Sequence, residues 1–405
     1  MSENRNDPSG VGRRDFFKAA GAGVTAAAAL LTPQERAVAQ GLEEKGRLER
    51  IAGCTWPIRQ LFKTRAGSGR GNAPLSLRAG AVAAPSPGAP STPANRDRTT
   101  AAEMKQKYGE ITMLDFPQWT KEHFPGVTRM DLFSGLFGDV ADDTMFMTAA
   151  EGGGGGAGFN PTNPSGRKWL DQLAGVLVKT GTKVQHISNN APFGLADFGS
   201  PEADARRRAG VAMAKRWLEG CAVLGVKSMR MNSPSALGPE IRPNATANGG
   251  DGYPRNLEIV ALMNAAIESY KEMADFGGNL GIKVTFENHW GLAADPMNLR
   301  IIIDTINHPY CDATPDFCNW EHEYMLFNGL KALAPYSHTN VHAKYWDRWG
   351  DKNDVQRSVR IMMAAGFQGT FALEYEAGPL NGVEGAKYLY KEVLAALTTV
   401  TSPAS

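Results

Sequence analysis

The sequence predicts an α/β protein, a closed (β/α)8 TIM barrel, on three observations. Eight short β-rich runs alternate with helical stretches, the pattern of βαβ units feeding a parallel sheet. No Gly-x-Gly-x-x-Gly follows the first run, as an open dinucleotide-binding sheet would carry. No linker divides the chain in its middle, so 405 residues of ordinary composition fit one barrel enlarged by insertions.

In chain order, the strand candidates are residues 50–56, 128–133, 183–188, 227–231, 283–288, 310–317, 337–344 and 369–375. A helix beginning at Phe116 precedes the second. Between the third and fourth, Val211, Ala214, Leu218, Cys221 and Ala222 follow helical spacing; between the fourth and fifth, Ile259, Met263, Ala266, Ile267, Tyr270 and Ala274 do the same. Gly225 and Gly277-Gly278 supply the expected helix stops. From residue 64 to 95, 22 of 32 residues are Ala, Gly, Pro or Ser, too little apolar surface to offset the entropy of ordering. The sequence therefore predicts a disordered insertion at about residues 64–98. The five glycines 152–156 precede no Gly-Lys-Ser/Thr and so predict a loop and no phosphate cradle.

Lys plus Arg (43) nearly cancels Asp plus Glu (42), which gives no basic field for a phosphate backbone; nucleic acid is not an expected partner. At the N-terminus, Arg13-Arg14-Asp15-Phe16-Phe17-Lys18 precedes a mildly apolar run too short to span a bilayer, and Ala37-Val38-Ala39 completes a cleavage signal. The paired arginines resemble a twin-arginine export signal over residues 1–39. The expected route uses the twin-arginine export machinery to a periplasmic or other extracytoplasmic site, with no stable membrane span after cleavage. Four cysteines, with no C-x-x-C among them, exclude a disulfide scaffold, and buried free thiols are the expected state.

Chemistry in such barrels sits where strands end. Four polar residues stand there in the second half: Glu287 before Asn288-His289, Asp316 before Phe317-Cys318-Asn319, His342 in Val341-His342-Ala343-Lys344, and Glu374 in Leu373-Glu374-Tyr375-Glu376. Their intervals of 29, 26 and 32 residues each match one βα unit, so they occupy equivalent positions on four consecutive strands. Three carboxylates and an imidazole at one point would repel unless a cation sat between them. That donor set suits manganese, magnesium, cobalt or zinc, and one divalent metal is the expected cofactor.

These motifs, together with the helix and strand of residues 116–133 and Ala222-Val223-Leu224-Gly225-Val226 before Met229-Arg230-Met231, resemble the sugar phosphate isomerase/epimerase family. Its xylose isomerase-like barrel also includes ketose 3-epimerases, inosose dehydratases and endonucleases acting at abasic sites. Over most of the chain past the signal, Glu287, Asp316, His342 and Glu374 align in order with the family's metal ligands. The resemblance implies that Glu287 and Glu374 are also its acid and base. The chain departs from the epimerase pattern at Asn319, where many members carry His.

The expected activity is that of a metal-dependent sugar or keto-sugar isomerase or epimerase acting through an enediolate on a small carbohydrate. A lyase or dehydratase using the same site, and a non-enzymatic sugar-binding protein, are the alternatives. His289 and Lys344 stand two residues from Glu287 and His342 and are expected to meet substrate, as are Arg230 and Asn232 at the end of the fourth strand and Asn319. Glu376 is an expected partner in the same face's network, and Trp56, Trp290, Trp320 and Trp346 are candidate stacking surfaces for a sugar ring.

Overall fold

A computed structural model describes residues 44–64, 95–147, 158–189, 201–231, 257–289, 291–320 and 322–399. Eight parallel strands form at the eight expected places: β1 (Ile51–Cys54), β2 (Arg129–Phe133), β3 (Lys183–Ser188), β4 (Ser228–Arg230), β5 (Lys283–Phe286), β6 (Cys311–Ala313), β7 (Asn340–Trp346) and β8 (Thr370–Ala377). They pair in the order β6-β5-β4-β3-β2-β1-β8-β7, which seats β1 between β2 and β8. The seam left between β6 and β7 is bridged beyond the end of β6. There Asp316 forms a parallel bridge with His342, whose backbone N–H donates to Pro315 O at 2.9 Å and whose carbonyl accepts from Phe317 N–H at 3.1 Å.

The described helices are α1 (Glu44–Leu48), α2 (Ala101–Tyr108), α3 (Phe116–His123), α4 (Pro164–Thr180), α5 (Pro201–Val223), α6 (Leu257–Asn279), α7 (Pro296–Ile306), α8 (Met325–Leu333), α9 (Val355–Ala364) and α10 (Gly382–Thr399). Their starts follow local chemistry: Asn163 caps α4 and Asp295 caps α7, each before a proline whose fixed φ suits the first turn, and Asp354 caps α9. One stop differs from expectation. α5 ends just before Gly225 at φ 65°, but α6 runs through Gly277-Gly278 to Asn279 and turns at Gly281, φ 71°. Gly277 serves a close approach, since a Cβ there would lie 2.5 Å from the carbonyl oxygen of Ile282, which leads into β5.

The apolar helix faces pack over the strands, and all four cysteines are buried free thiols. Within the barrel several fully buried positions are polar, among them Asp131, His186, Ser228, Thr285 and Asn340, where barrels usually place Val, Ile or Leu. The insertion between Thr64 and Asn95, the glycine run 152–156, Asn232, Trp290 and the N-terminal signal lie outside the described residues.

Candidate metal centre

Each of the four ligand candidates is placed by a different strand. Glu287 directly follows β5, Asp316 lies in the bridge that seals the β6–β7 seam, and His342 and Glu374 belong to β7 and β8. One ligand atom from each falls within 4.8 Å of every other, and all four residues are buried. His342 Nδ1 is the hub: it stands 2.9 Å from Glu287 Oε1, 3.0 Å from Glu374 Oε2 and 3.8 Å from Asp316 Oδ2. Asn288, between Glu287 and His289, fixes Asp316 by its backbone, accepting from Asp316 N–H at 2.7 Å and donating to Asp316 O at 2.9 Å. Asp316 Oδ1 in turn accepts from the backbone N–H groups of Cys318 and Asn319 at 2.7 and 3.0 Å. Oδ2 is left to face the cluster.

Of the residues expected to meet substrate, Arg230, Lys344, Asn319 and His289 lie around these four, while Asn232 lies outside the described residues. Arg230, buried at the end of β4, donates from Nη1 to Glu287 Oε2. Lys344 Nζ lies 3.0 Å from Glu374 Oε1, 3.2 Å from Glu376 Oε2 and 3.3 Å from Asp316 Oδ2. Asn319 spans the two halves, donating to Glu287 Oε1 at 3.3 Å and accepting from Lys344 Nζ at 3.2 Å. His289 is partly buried and feels the charges of Glu287, Arg230, Lys344 and Glu374. Glu376 also accepts from Trp56 Nε1 at 2.8 Å. Trp320 is fully buried against Gly329 of α8, a packing position, whereas Trp56 is partly exposed beside the cluster.

Burial pushes every carboxyl here upward, and the neighbouring cations decide the outcome. For Glu287 the Arg230 guanidinium and His342 outweigh burial and hold the carboxyl well below its usual range. For Glu374 the Lys344 ammonium and His342 do the same. Asp316 is the exception: burial, with Glu374 and Glu287 nearby, outweighs Lys344 and leaves its carboxyl at about 6. Burial lowers the basicity of His342 and Lys344, but the surrounding carboxylates more than reverse this and hold both well above their ordinary values. Both glutamates are therefore ionised at neutral pH, each against its own fixed cation.

A second tier lies deeper in the barrel and has no counterpart among the site residues expected from sequence. Asp131 of β2 accepts from Ser188 Oγ at 2.9 Å and Asn340 Nδ2 at 2.8 Å, and lies 3.0 Å from His342 Nε2. Since β2 and β7 are not neighbours in the sheet, the contacts with Asn340 and His342 cross the interior. His186 of β3 joins the tier, its Nδ1 2.7 Å from Ser228 Oγ and its basicity lowered by burial to about 4. Asp131 lies in the strand candidate of residues 128–133, and a charged residue flanked by the apolar Met130 and Leu132 is its sequence cue. A separate groove of about 370 Å³, lined by Phe62, Lys63, Leu136, Lys168 and Trp169 among others, contains none of the cluster residues.

The four ligand candidates fit a divalent cation. They offer three oxygens and one nitrogen within 4.8 Å of one another, and Asp316 Oδ2 is buried without a hydrogen bond, its ion-pair contacts being Lys344 Nζ at 3.3 Å and His342 Nδ1 at 3.8 Å. Fold and site together define a barrel with a buried acidic and imidazole centre at its strand ends. Residues 149–398 match the family described as Xylose isomerase-like TIM barrel, and the chain belongs to that family. Among solved structures, it is similar to a xylose isomerase-like TIM barrel protein from Mycobacterium smegmatis in complex with magnesium, at 16% identity over 71% of this chain and 89% of that one, TM-score 0.47. It is also similar to apo 3-keto-D-glucoside 4-epimerase from E. coli, at 15% identity over 71% and 94%, TM-score 0.47. A D-tagatose 3-epimerase-like protein matches at 14% identity over 72% and 98%, TM-score 0.49. No curated protein matches the chain.

Proposed function

We propose that the protein is a divalent-metal-dependent isomerase or epimerase of a sugar or keto-sugar. The observation that carries this reading is the convergence of Glu287, Asp316, His342 and Glu374 on one buried point in a xylose isomerase-like barrel. Glu287, Asp316, His342 and Glu374 would hold a divalent cation, which would supply Lewis-acid polarisation of a substrate carbonyl and so acidify the neighbouring C–H. Glu287 and Glu374 approach the centre from β5 and β8, and both are ionised at neutral pH, so either carboxylate is in the form that accepts a proton. One removes the α-proton; the other, after first taking a proton from solvent, delivers it to the opposite face for epimerisation, or the first returns its own proton to the adjacent carbon for isomerisation. Arg230 and Lys344 hold those carboxylates in place and offset the negative charge gathered there. His289 and Trp56, at the edge of the cluster, are the side chains we assign to the sugar.

The lyase reading keeps the same proton abstraction and differs in the next step, where a β-hydroxyl or glycosidic oxygen is lost before the proton returns. Asn319 favours keeping it, since at a position where many epimerases carry His this chain has an amide already engaged with Glu287 and Lys344. Metal-loaded protein incubated with keto-sugars in deuterated water separates the readings by proton NMR. Deuterium at the α-carbon with no group lost supports the isomerase or epimerase; loss of water or of an aglycone supports the lyase. Neither, across a broad sugar panel, would sink both. The twin-arginine motif and the A-x-A cleavage site support an extracytoplasmic location for this activity.

A further inference from the structure

His342 belongs to two clusters at once. With Glu287, Asp316 and Glu374 it forms the outer one through Nδ1; with Asp131 and His186 it forms an inner one through Nε2, whose three ligand atoms also lie within 4.8 Å of one another. His186 Nε2 is fully buried and without a hydrogen-bond partner, so the inner cluster has an open donor of its own. A neutral imidazole carries one N–H and one lone pair, so His342 can serve one cluster as a ligand only by presenting N–H to the other. The two clusters are therefore mutually exclusive metal sites unless the ring gives up both protons.

We propose that Asp131 makes this choice: it is a positioning residue that keeps the proton of His342 on Nε2 and so leaves the Nδ1 lone pair to the outer cluster. The inference rests on the metal-dependent reading above. Asp131 is fully buried and surrounded by donors, with Ser188 Oγ at 2.9 Å on one oxygen and Asn340 Nδ2 at 2.8 Å on the other. Asn340 presents its Nδ2 to Asp131 because the flipped amide would set its oxygen against the carboxylate, and its Oδ1 accepts from Thr370 Oγ1 at 2.7 Å. Every partner thus casts Asp131 as an acceptor, and its Oδ2, 3.0 Å from His342 Nε2, calls for an N–H there. A carboxylate behind a ligating histidine fixes ring orientation and tautomer and raises the ligand's basicity, commonly worth ten- to a hundredfold in metal affinity.

The decisive measurement is the long-range ¹H–¹⁵N spectrum of zinc-loaded protein labelled at its seven histidines, assigned by single His→Gln replacements. The expected result is His342 protonated at Nε2 and metal-bound at Nδ1. A proton on Nδ1 would overturn the proposal, and this readout stands even if a variant fails to fold. In parallel, chelator competition should show Asp131→Asn weakening zinc binding ten- to a hundredfold, while His186→Gln stays within about twofold of the parent. A tenfold loss in His186→Gln would assign the metal to the inner cluster, and no loss in Asp131→Asn would overturn the role of Asp131. Protein that takes up no zinc at all would sink the metal-dependent function itself; zinc-loaded protein with the wrong tautomer sinks only the role of Asp131.

Discussion

At the scale of single residues, the two glutamates differ in their companions: Glu287 faces Arg230 and Asn319, and Glu374 faces Lys344. Replacing either by Gln keeps an oxygen ligand of nearly the same shape and removes the charge and the capacity to accept a proton. Each variant is expected to retain part of its metal and to lose roughly a hundredfold or more in turnover. For the residue that abstracts the proton, exchange of the substrate α-proton with solvent falls in parallel; for its partner, exchange survives while net product falls. A metal-loaded double Gln variant with near-parental turnover would rule out both as bases. Sequence spacing was sufficient to find the four ligand candidates, because one βα unit separates each from the next. It carried no trace of which cation each glutamate would meet.

A different residue, His338, tests electrostatics away from the site. Its Nδ1 lies 2.7 Å from Asp312 Oδ1 on β6, with Lys283 Nζ 3.3 Å from the other carboxylate oxygen. The hydrogen bond to Asp312 raises the histidine's pKa against burial and Lys283, which lower it. A raised folded pKa stabilises the native state fully below the unfolded value of about 6.5, and the benefit fades as pH climbs through the folded value. The side chain is 60% exposed, so solvent screening limits the effect to about 0.5 kcal/mol or less. Urea unfolding of His338→Gln should show that deficit at pH 5.5 and none at pH 8.5; a deficit that grows with pH would contradict the assignment.

At the scale of elements, the chain leaving the Ala/Pro/Gly/Ser-rich region is tied to the strand ends around the site. Arg96 donates from Nε to Asp347 Oδ2 at 2.8 Å and from Nη2 to Oδ1, just past β7, and Asp97 N–H donates to Gly378 O at 2.7 Å, just past β8. Both partners of the ion pair are nearly inaccessible to water, at 7% and 5% side-chain exposure. Arg96→Leu strands a buried carboxylate and is expected to cost about 3 to 5 kcal/mol, whereas Arg96→Leu combined with Asp347→Asn should recover much of the loss. Denaturant midpoints of the two variants decide it: equal midpoints would show that the charge is not what is being stranded. The strand and helix positions were legible from local pattern, but β6 is shorter than the strand candidate of residues 310–317. Residues 314–317 leave regular pairing to make the bridge that brings Asp316 against His342.

At the scale of the whole molecule, the described residues contain no helix long and apolar enough to cross a membrane. The proposed export signal is tested in the cell: Arg13 and Arg14 changed together to Lys should leave the protein in the cytoplasm, and efficient export of that variant would refute the twin-arginine assignment. The sequence by itself determined the number and order of the strands, the barrel class and the four ligand candidates. All of these are written as local patterns along the chain: short β-rich runs for strands, helical spacing of apolar residues between them, and one polar residue per βα unit. Only the tertiary structure decided how Arg230, Lys344 and Asn319 divide the charges among those ligands, that Asp131 backs His342, and that the seam is bridged at Asp316. The physical reason is separation in sequence. The contact of Asp131 with His342 spans 211 residues and crosses the barrel between strands that are not neighbours, and such a pairing leaves no local pattern to read.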